Sequence, residues 1–137
     1  MIFLDSSFLI AYYNSLDKHR KKAVEIMGDL IAGKYGDPCI SDYVFDEVIT
    51  IFSIRFKNKS LAVTVGEILI ESLEIVNVGD KLFDDAWGIF KEQKNTNFSF
   101  TDCTILAIMQ EHRFSHIATF DEDFQKFKGI KIIGDDV

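Results

Sequence analysis

Met1-Ile2-Phe3-Leu4-Asp5 begins the chain, and its reading decides the fold. Four apolar residues in a row, with no charge among them, predict a strand buried on both faces in a mainly parallel sheet. The run stops at a carboxylate. Ser6-Ser7-Phe8-Leu9-Ile10-Ala11 then resumes the apolar pattern at helical spacing, with Ser6 or Ser7 as the expected cap. In open parallel sheets, ligands bind outside the carboxyl ends of the strands, so Asp5 stands where chemistry is expected. Taken singly, it reads equally well as an acid that caps a helix. Recurrence of the pattern elsewhere is what separates the two.

A chain of 137 residues with 47% hydrophobic and 27% charged side chains has the composition of one folded domain, here residues 1–137. No apolar run reaches membrane-spanning length and no basic leader precedes the first strand, which predicts a cytoplasmic protein. Cys39 and Cys103 form no metal or redox spacing and are expected as small buried residues in a reducing compartment. Fifteen basic against 22 acidic residues leave a net charge of −7. That argues against a polyanion binder working through bulk electrostatics. It does not exclude a nucleic-acid enzyme whose acids carry metal ions, because such ions reverse the local sign.

Outward from the first strand and helix, residues 17–33 predict a longer helix with Ala23, Val24, Met27, Leu30 and Ile31 inward. Its opening Lys18-His19-Arg20-Lys21-Lys22 reads as a solvated face. A turn at Asp37-Pro38 leads to a very short strand, Pro38-Cys39-Ile40. Ser41 is expected to cap a helix reaching about Phe56, whose apolar arc holds Val44, Phe45, Val48, Ile49, Phe52 and Phe56. Glu47 lies just beyond one border of that arc and Asp46 well outside the other.

Asn58 caps a helix through Ser72, with Leu61, Ala62, Val65, Ile68 and Leu69 buried. Residues 73–78 alternate and predict a strand nearer a sheet edge. Asp80 caps a helix with Phe83, Ala86, Trp87 and Phe90 on its inner face, and residues 91–99 read as a mobile loop. Phe100-Thr101-Asp102 opens a further helix, with Ile105, Leu106 and Met109 inward. Asp102 falls in its first turn, where the helix dipole favours an acid. Residues 115–120 predict a central strand that ends in Asp121-Glu122-Asp123, just as the first ends in Asp5. Residues 130–133 form the last strand. His112 and His116 lack the H-E-x-x-H pattern of a zinc site.

The whole predicts one α/β domain. Right-handed crossovers would bring both acidic strand ends to one edge of the sheet. Carboxylates gathered there raise one another's pKa, and an all-oxygen ligand set selects a hard cation such as Mg²⁺ or Mn²⁺. No Cys, His or Ser triad and no Gly-rich phosphate loop competes for the chemistry.

Four segments, I-F-L-D-S-S-F-L-I-A, S-D-Y-V-F-D-E, F-T-D-C-T-I-L-A and I-A-T-F-D-E-D-F, in this order resemble the PIN-domain ribonucleases, and among them the VapC-type toxins of toxin–antitoxin pairs. The resemblance covers essentially the whole chain. It implies a three-layer α/β/α fold around a parallel sheet of about five strands, and a pocket that binds Mg²⁺ or Mn²⁺ and cuts RNA. By motif, Asp5, Glu47, Asp102 and Asp121 match the family's four acids, and Asp123 its variable fifth. Thr119 and Ser7 match positions that hydrogen-bond a ligand carboxylate. The resemblance also implies a homodimer inhibited by a small antitoxin protein. The alternative is a metal-binding PIN-like interaction module without nuclease activity. Phosphoryl transfer on an aspartate fits poorly, because Asp5-Ser6-Ser7 lacks the D-x-D that such sites need.

Overall fold

In the computed structural model, which describes residues 1–134, the opening apolar run is the central strand of a five-stranded sheet. β1 (Ile2–Leu4), β2 (Pro38–Ser41), β3 (Glu74–Val76), β4 (His116–Ala118) and β5 (Lys131–Ile133) lie in the order β3-β2-β1-β4-β5, and every pairing is parallel. The three β1 side chains are at most 1% exposed, as expected of a strand covered on both faces. β3 and β5 are the edges, and their side chains are half-buried or exposed.

The helices are α1 (Ser6–Tyr13), α2 (Arg20–Ile31), α3 (Asp42–Thr50), α4 (Lys59–Ser72), α5 (Asp80–Glu92) and α6 (Phe100–His112), which complete a three-layer α/β/α arrangement. Strand order reverses between β1 and β4. In doubly wound sheets the crevice outside the carboxyl ends at such a reversal is the ligand site. Asp5 follows β1 and Thr119 follows β4. The backbone N–H of Asp5 donates to the Ala118 carbonyl at 3.0 Å, which seals the two strand ends together.

Among the described residues, side-chain caps start three of the six α-helices, α3, α4 and α6. The Ser41 hydroxyl accepts from the Val44 N–H at 3.1 Å, and the Asn58 side chain accepts from the Leu61 N–H at 3.1 Å. α4 approaches α3 closely at Gly66, where a Cβ would meet the Ile49 Cδ1 at 3.1 Å. Cys39 and Cys103 are buried free thiols, and burial pushes them up to about 12 and about 11. Among the described residues no helix is long and apolar enough to cross a membrane.

Several expectations are corrected. The helix expected to reach Phe56 ends as α-helix at Thr50 and continues as a π-helical turn, Ile51–Arg55. The wider turn keeps Phe52 buried but swings Ile54 and Phe56 into solvent, at 71% and 40% exposure. α2 buries Ala23, Ile26 and Leu30, so Val24 and Ile31 face outward. In α4, Ile68 is on the rim. The cap of α5 is Gly79 rather than Asp80.

The inner face of α5 is Leu82 and Ala86 with Ile89 beside them, while Phe83, Trp87 and Phe90 are 46%, 48% and 37% exposed. The smaller stripe lets α5 pack closely on α6, and the aromatic rings wrap over the rim onto Phe100. Residues 91–99 are tied rather than loose. The Gln93 amide nitrogen donates to the Phe98 carbonyl at 3.0 Å, and its oxygen accepts from the Phe98 N–H at 2.9 Å and the Thr96 hydroxyl at 2.8 Å.

Because Phe98 is buried, Gln93→Ala would strip partners from backbone groups that water cannot easily reach. Urea denaturation should show a loss of about 1–3 kcal/mol. A change below about 0.5 kcal/mol, the range of an ordinary surface substitution, would mean the loop is not held by this side chain.

Candidate active site

The crevice is built from residues that the sheet and two helix starts deliver to one place. Asp5, at 3% exposure, is the N-cap residue of α1, but its carboxylate caps nothing. Neither Ser6 nor Ser7 caps the helix as expected. Their hydroxyls face carboxylates instead. Asp5 Oδ2 accepts from the Thr119 hydroxyl at 2.7 Å and from the Ser7 hydroxyl at 2.8 Å. Each hydroxyl has one proton, and both are committed to Asp5, so the 3.1 Å approach of Ser7 Oγ to Thr119 Oγ1 adds no further bond.

Both hydroxyl oxygens are free to accept. Ser7 Oγ takes the Phe120 N–H and Thr119 Oγ1 takes the Asp121 N–H, each at 3.0 Å. One small network therefore clamps the segment after β4 onto Asp5. Ser6 Oγ bonds Glu47 and stands 3.5 Å from Asp5 Oδ1, bridging β1's acid to α3. Glu47 is half-buried on the side of α3 that faces the crevice, whereas Asp46 is exposed. Sequence reasoning treated Ser6 as a cap and missed this bridge. The signal was present in the adjacent hydroxyls following a strand-end acid.

Asp102 opens α6 in a capping box. The Asp102 N–H donates to Ser99 Oγ and the Ser99 N–H donates to Asp102 Oδ2, both at 3.0 Å. The structural role foreseen for a first-turn acid is thus real. It does not exhaust what the carboxylate feels. Burial pushes Asp102 up to about 7, with Asp5 next among the causes and Asp121 also raising it. Asp5 is raised as well, first by burial and further by Glu47, against the lowering effect of Thr119 and Ser7.

Asp5, Glu47, Asp102 and Asp121 therefore share one electrostatic field at the strand-order reversal. Asp123 is turned aside, with Oδ1 3.5 Å from the Lys126 ammonium, and its N–H caps back to Asp121 Oδ1 at 2.9 Å. At rest each acid is engaged locally, and no three His, Cys, Asp or Glu among the described residues form a ready-made ion cage. The donor set is nevertheless all carboxylate oxygen, the chemistry that suits a hard divalent cation. Buried acids that repel one another are what such a cation relieves.

Fold and crevice together define an α/β protein with an acidic pocket where its strand order reverses. Residues 2–130 match the model of the PIN domain, and the chain belongs to that family. It is similar to the 23S rRNA-specific endonuclease VapC20 of Mycobacterium tuberculosis, 26% identical over 124 residues, covering 90% of this chain and 92% of that one. It also resembles Ribonuclease VapC6 of Methanocaldococcus jannaschii, 26% identical over 153 aligned positions, covering 96% and 95%.

Among solved structures, Mycobacterium tuberculosis VapC20, described as a Sarcin-Ricin loop cleaving toxin, superposes with a TM-score of 0.83. The pair is 25% identical, covering 95% of this chain and 97% of that one. VapBC2 from Rickettsia felis, bound to a DNA fragment from its promoter, shares the fold with a TM-score of 0.73 at 19% identity, covering 96% and 97%. A toxin–antitoxin complex from Klebsiella pneumoniae does so with 0.70 at 18%, covering 96% of each chain.

Asp102 has a folded-state pKa raised above its unfolded value, so the metal-free native chain binds a proton that the unfolded chain has released. Its contribution to stability is present below the ordinary carboxylate range and is lost as pH rises towards about 7. In chelator, the Tm should fall across that window, and Asp102→Asn should flatten the slope. Mn²⁺ at pH 8 should raise the wild-type Tm, because it binds the folded state. A Tm indifferent to both pH and Mn²⁺ would contradict the crowding of these acids.

Proposed function

We propose that this chain is a divalent-metal-dependent endoribonuclease that hydrolyses RNA phosphodiester bonds, the toxin of a toxin–antitoxin pair. The reading is carried by the convergence of Asp5 after β1, Glu47 of α3, Asp102 of α6 and Asp121 after β4 at the strand-order reversal. Asp5, Asp102 and Asp121 would hold Mg²⁺ or Mn²⁺, with Glu47 close by and Asp123 in an outer position. A bound ion of this kind supplies Lewis-acid stabilisation of a phosphoryl oxygen and makes a water more acidic.

The chain's own residues do the positioning. Ser7 and Thr119 both occupy Asp5 Oδ2, while the Ser6 hydroxyl stands 3.5 Å from Oδ1. Ser6 orients Glu47 against the same acid. Releasing Asp102 Oδ2 from the Ser99 N–H frees it for the pocket and weakens one cap of α6. RNA is the substrate that the ribonuclease relatives favour, and the cytoplasm suits a chain whose two buried thiols are free.

The antitoxin partner is supported by the solved toxin–antitoxin complex from Klebsiella pneumoniae that shares this fold. It would cover the apolar groove of about 300 Å³ between α1, α2 and α4, whose rim includes exposed Ile31 and Ile68. A homodimer is favoured by the aromatic face of α5. Phe83, Trp87 and Phe90 form one exposed apolar strip, larger than isolated surface hydrophobics. α5 carries Asp80, Asp84 and Asp85 towards its start, whereas Lys91 stands in its last turn and Lys94 just beyond it. Two copies related by a two-fold axis, with α5 antiparallel, would set each acidic end against the other's basic end.

Incubating the protein with structured RNA and Mn²⁺ should yield discrete fragments that a chelator prevents. Asp5→Asn should abolish cleavage, by at least about a thousandfold, with the thermal unfolding transition still cooperative. Undiminished cleavage by that variant would overturn the assignment. A wild type that binds Mn²⁺ yet cuts no RNA would favour the interaction module instead. For the dimer, light scattering should give twice the chain mass for wild type and one chain mass for Trp87→Glu. A monomeric wild type would refute the α5 interface.

A further inference from the structure

The basic run Lys18–Lys22, which leads into the first turn of α2, is not simply a solvated face. Asn14 and Asp17 build the turn between α1 and α2 from their own side chains. The Leu16 N–H donates to Asn14 Oδ1 at 3.2 Å and the His19 N–H to Asp17 Oδ1 at 2.8 Å. That turn lays the His19 ring flat on Phe120, with centroids 4.4 Å apart and planes within 4°. Phe120 lies between Thr119, which bonds Asp5, and Asp121, and its N–H is held by Ser7. The imidazole is thus fixed at the lip of the acidic crevice, on Phe120, 101 positions away in sequence.

The stack orients the ring by its face and uses neither nitrogen. Among the described residues no hydrogen bond engages either nitrogen of the half-buried His19 ring. Exposed Lys18 and Lys21 flank it in sequence, and the Asp17 carboxylate holds its backbone N–H. Next to it, Arg20 has a buried Nε with no acceptor among the described residues, its guanidinium 5.8 Å from the Tyr12 ring centre. In a chain of net charge −7, donors collected beside an acid pocket match a polyanion whose other phosphate faces the acids.

We infer that His19, held on Phe120, donates a hydrogen bond to a non-bridging phosphate oxygen next to the scissile bond and so positions the RNA strand across the crevice. The inference rests on the endoribonuclease reading. His19 is a positioning residue for substrate and takes no part in holding the ion. The segment also acquires a reason for its charge, since Arg20, Lys21 and Lys22 stand in the first turn of α2, where the helix dipole disfavours cations.

The test compares wild type, His19→Phe and His19→Arg in the full chain, using an RNA that wild type cleaves. His19→Phe keeps an aromatic face for the stack and removes both nitrogens. Its KM should rise about tenfold, the loss expected for one charge-assisted hydrogen bond, with kcat within about threefold and Mn²⁺ affinity measured by calorimetry unchanged. RNA affinity in Ca²⁺ should fall by about the same tenfold factor. His19→Arg should recover most of the affinity. If His19→Phe retains the wild-type KM and RNA affinity, the ring serves packing alone and the inference fails. If it lowers kcat with KM unchanged, the assigned role is wrong. Failure of wild type itself to cleave any RNA would instead strike the reading on which this one rests.

Discussion

The structure turns on a set of carboxylates that repel one another at the junction of β1 and β4, with Asp5 buried and Glu47, Asp102 and Asp121 half-buried around it. Asp5 is the pivot. Two hydroxyls donated from α1 and from the end of β4 satisfy one of its oxygens, and those same hydroxyls accept the backbone N–H groups of the β4 exit. The clamp makes the position of the acid inseparable from the pairing of the two central strands. A fold that sought stability alone would not bring Asp102, Asp121 and Glu47 into the field of an acid already 3% exposed. Local conflict of this kind is concentrated at functional sites in proteins.

The rest of the domain serves that junction. The parallel order with its reversal at β1 and β4 opens a crevice where no strand end is covered by the next crossover. α3 contributes Glu47 and α6 contributes Asp102, and each helix is started by a serine whose side chain satisfies an orphan N–H. Asp102 carries two loads, a cap for α6 and a member of the acid field. An ion that recruited it would couple the pocket to the first turn of that helix, whose following residues, Cys103 to Met109, are all buried.

Much of this was legible in the chain. Apolar runs without charge marked β1 and β4 as interior strands, and the acids after them fall on one edge of the sheet. The lean of Glu47 and the outward turn of Asp46 followed from helical angles. What escaped had specific causes. α5 carries two apolar arcs side by side, Leu82-Ala86-Ile89 and Phe83-Trp87-Phe90, and periodicity cannot tell which one a neighbouring helix will accept. The Gln93 side chain ties its loop with hydrogen bonds to backbone, which by composition looks like a polar linker. The stack of His19 on Phe120 joins residues 19 and 120, so no local pattern announces it.

The most direct test of the account is the titration of the Asp102 carboxyl carbon by nuclear magnetic resonance in metal-free protein. The account predicts a midpoint at about 7, moving down when Asp5 is replaced by Asn. A midpoint near 3.8, indifferent to that replacement, would mean that these acids do not share a crevice.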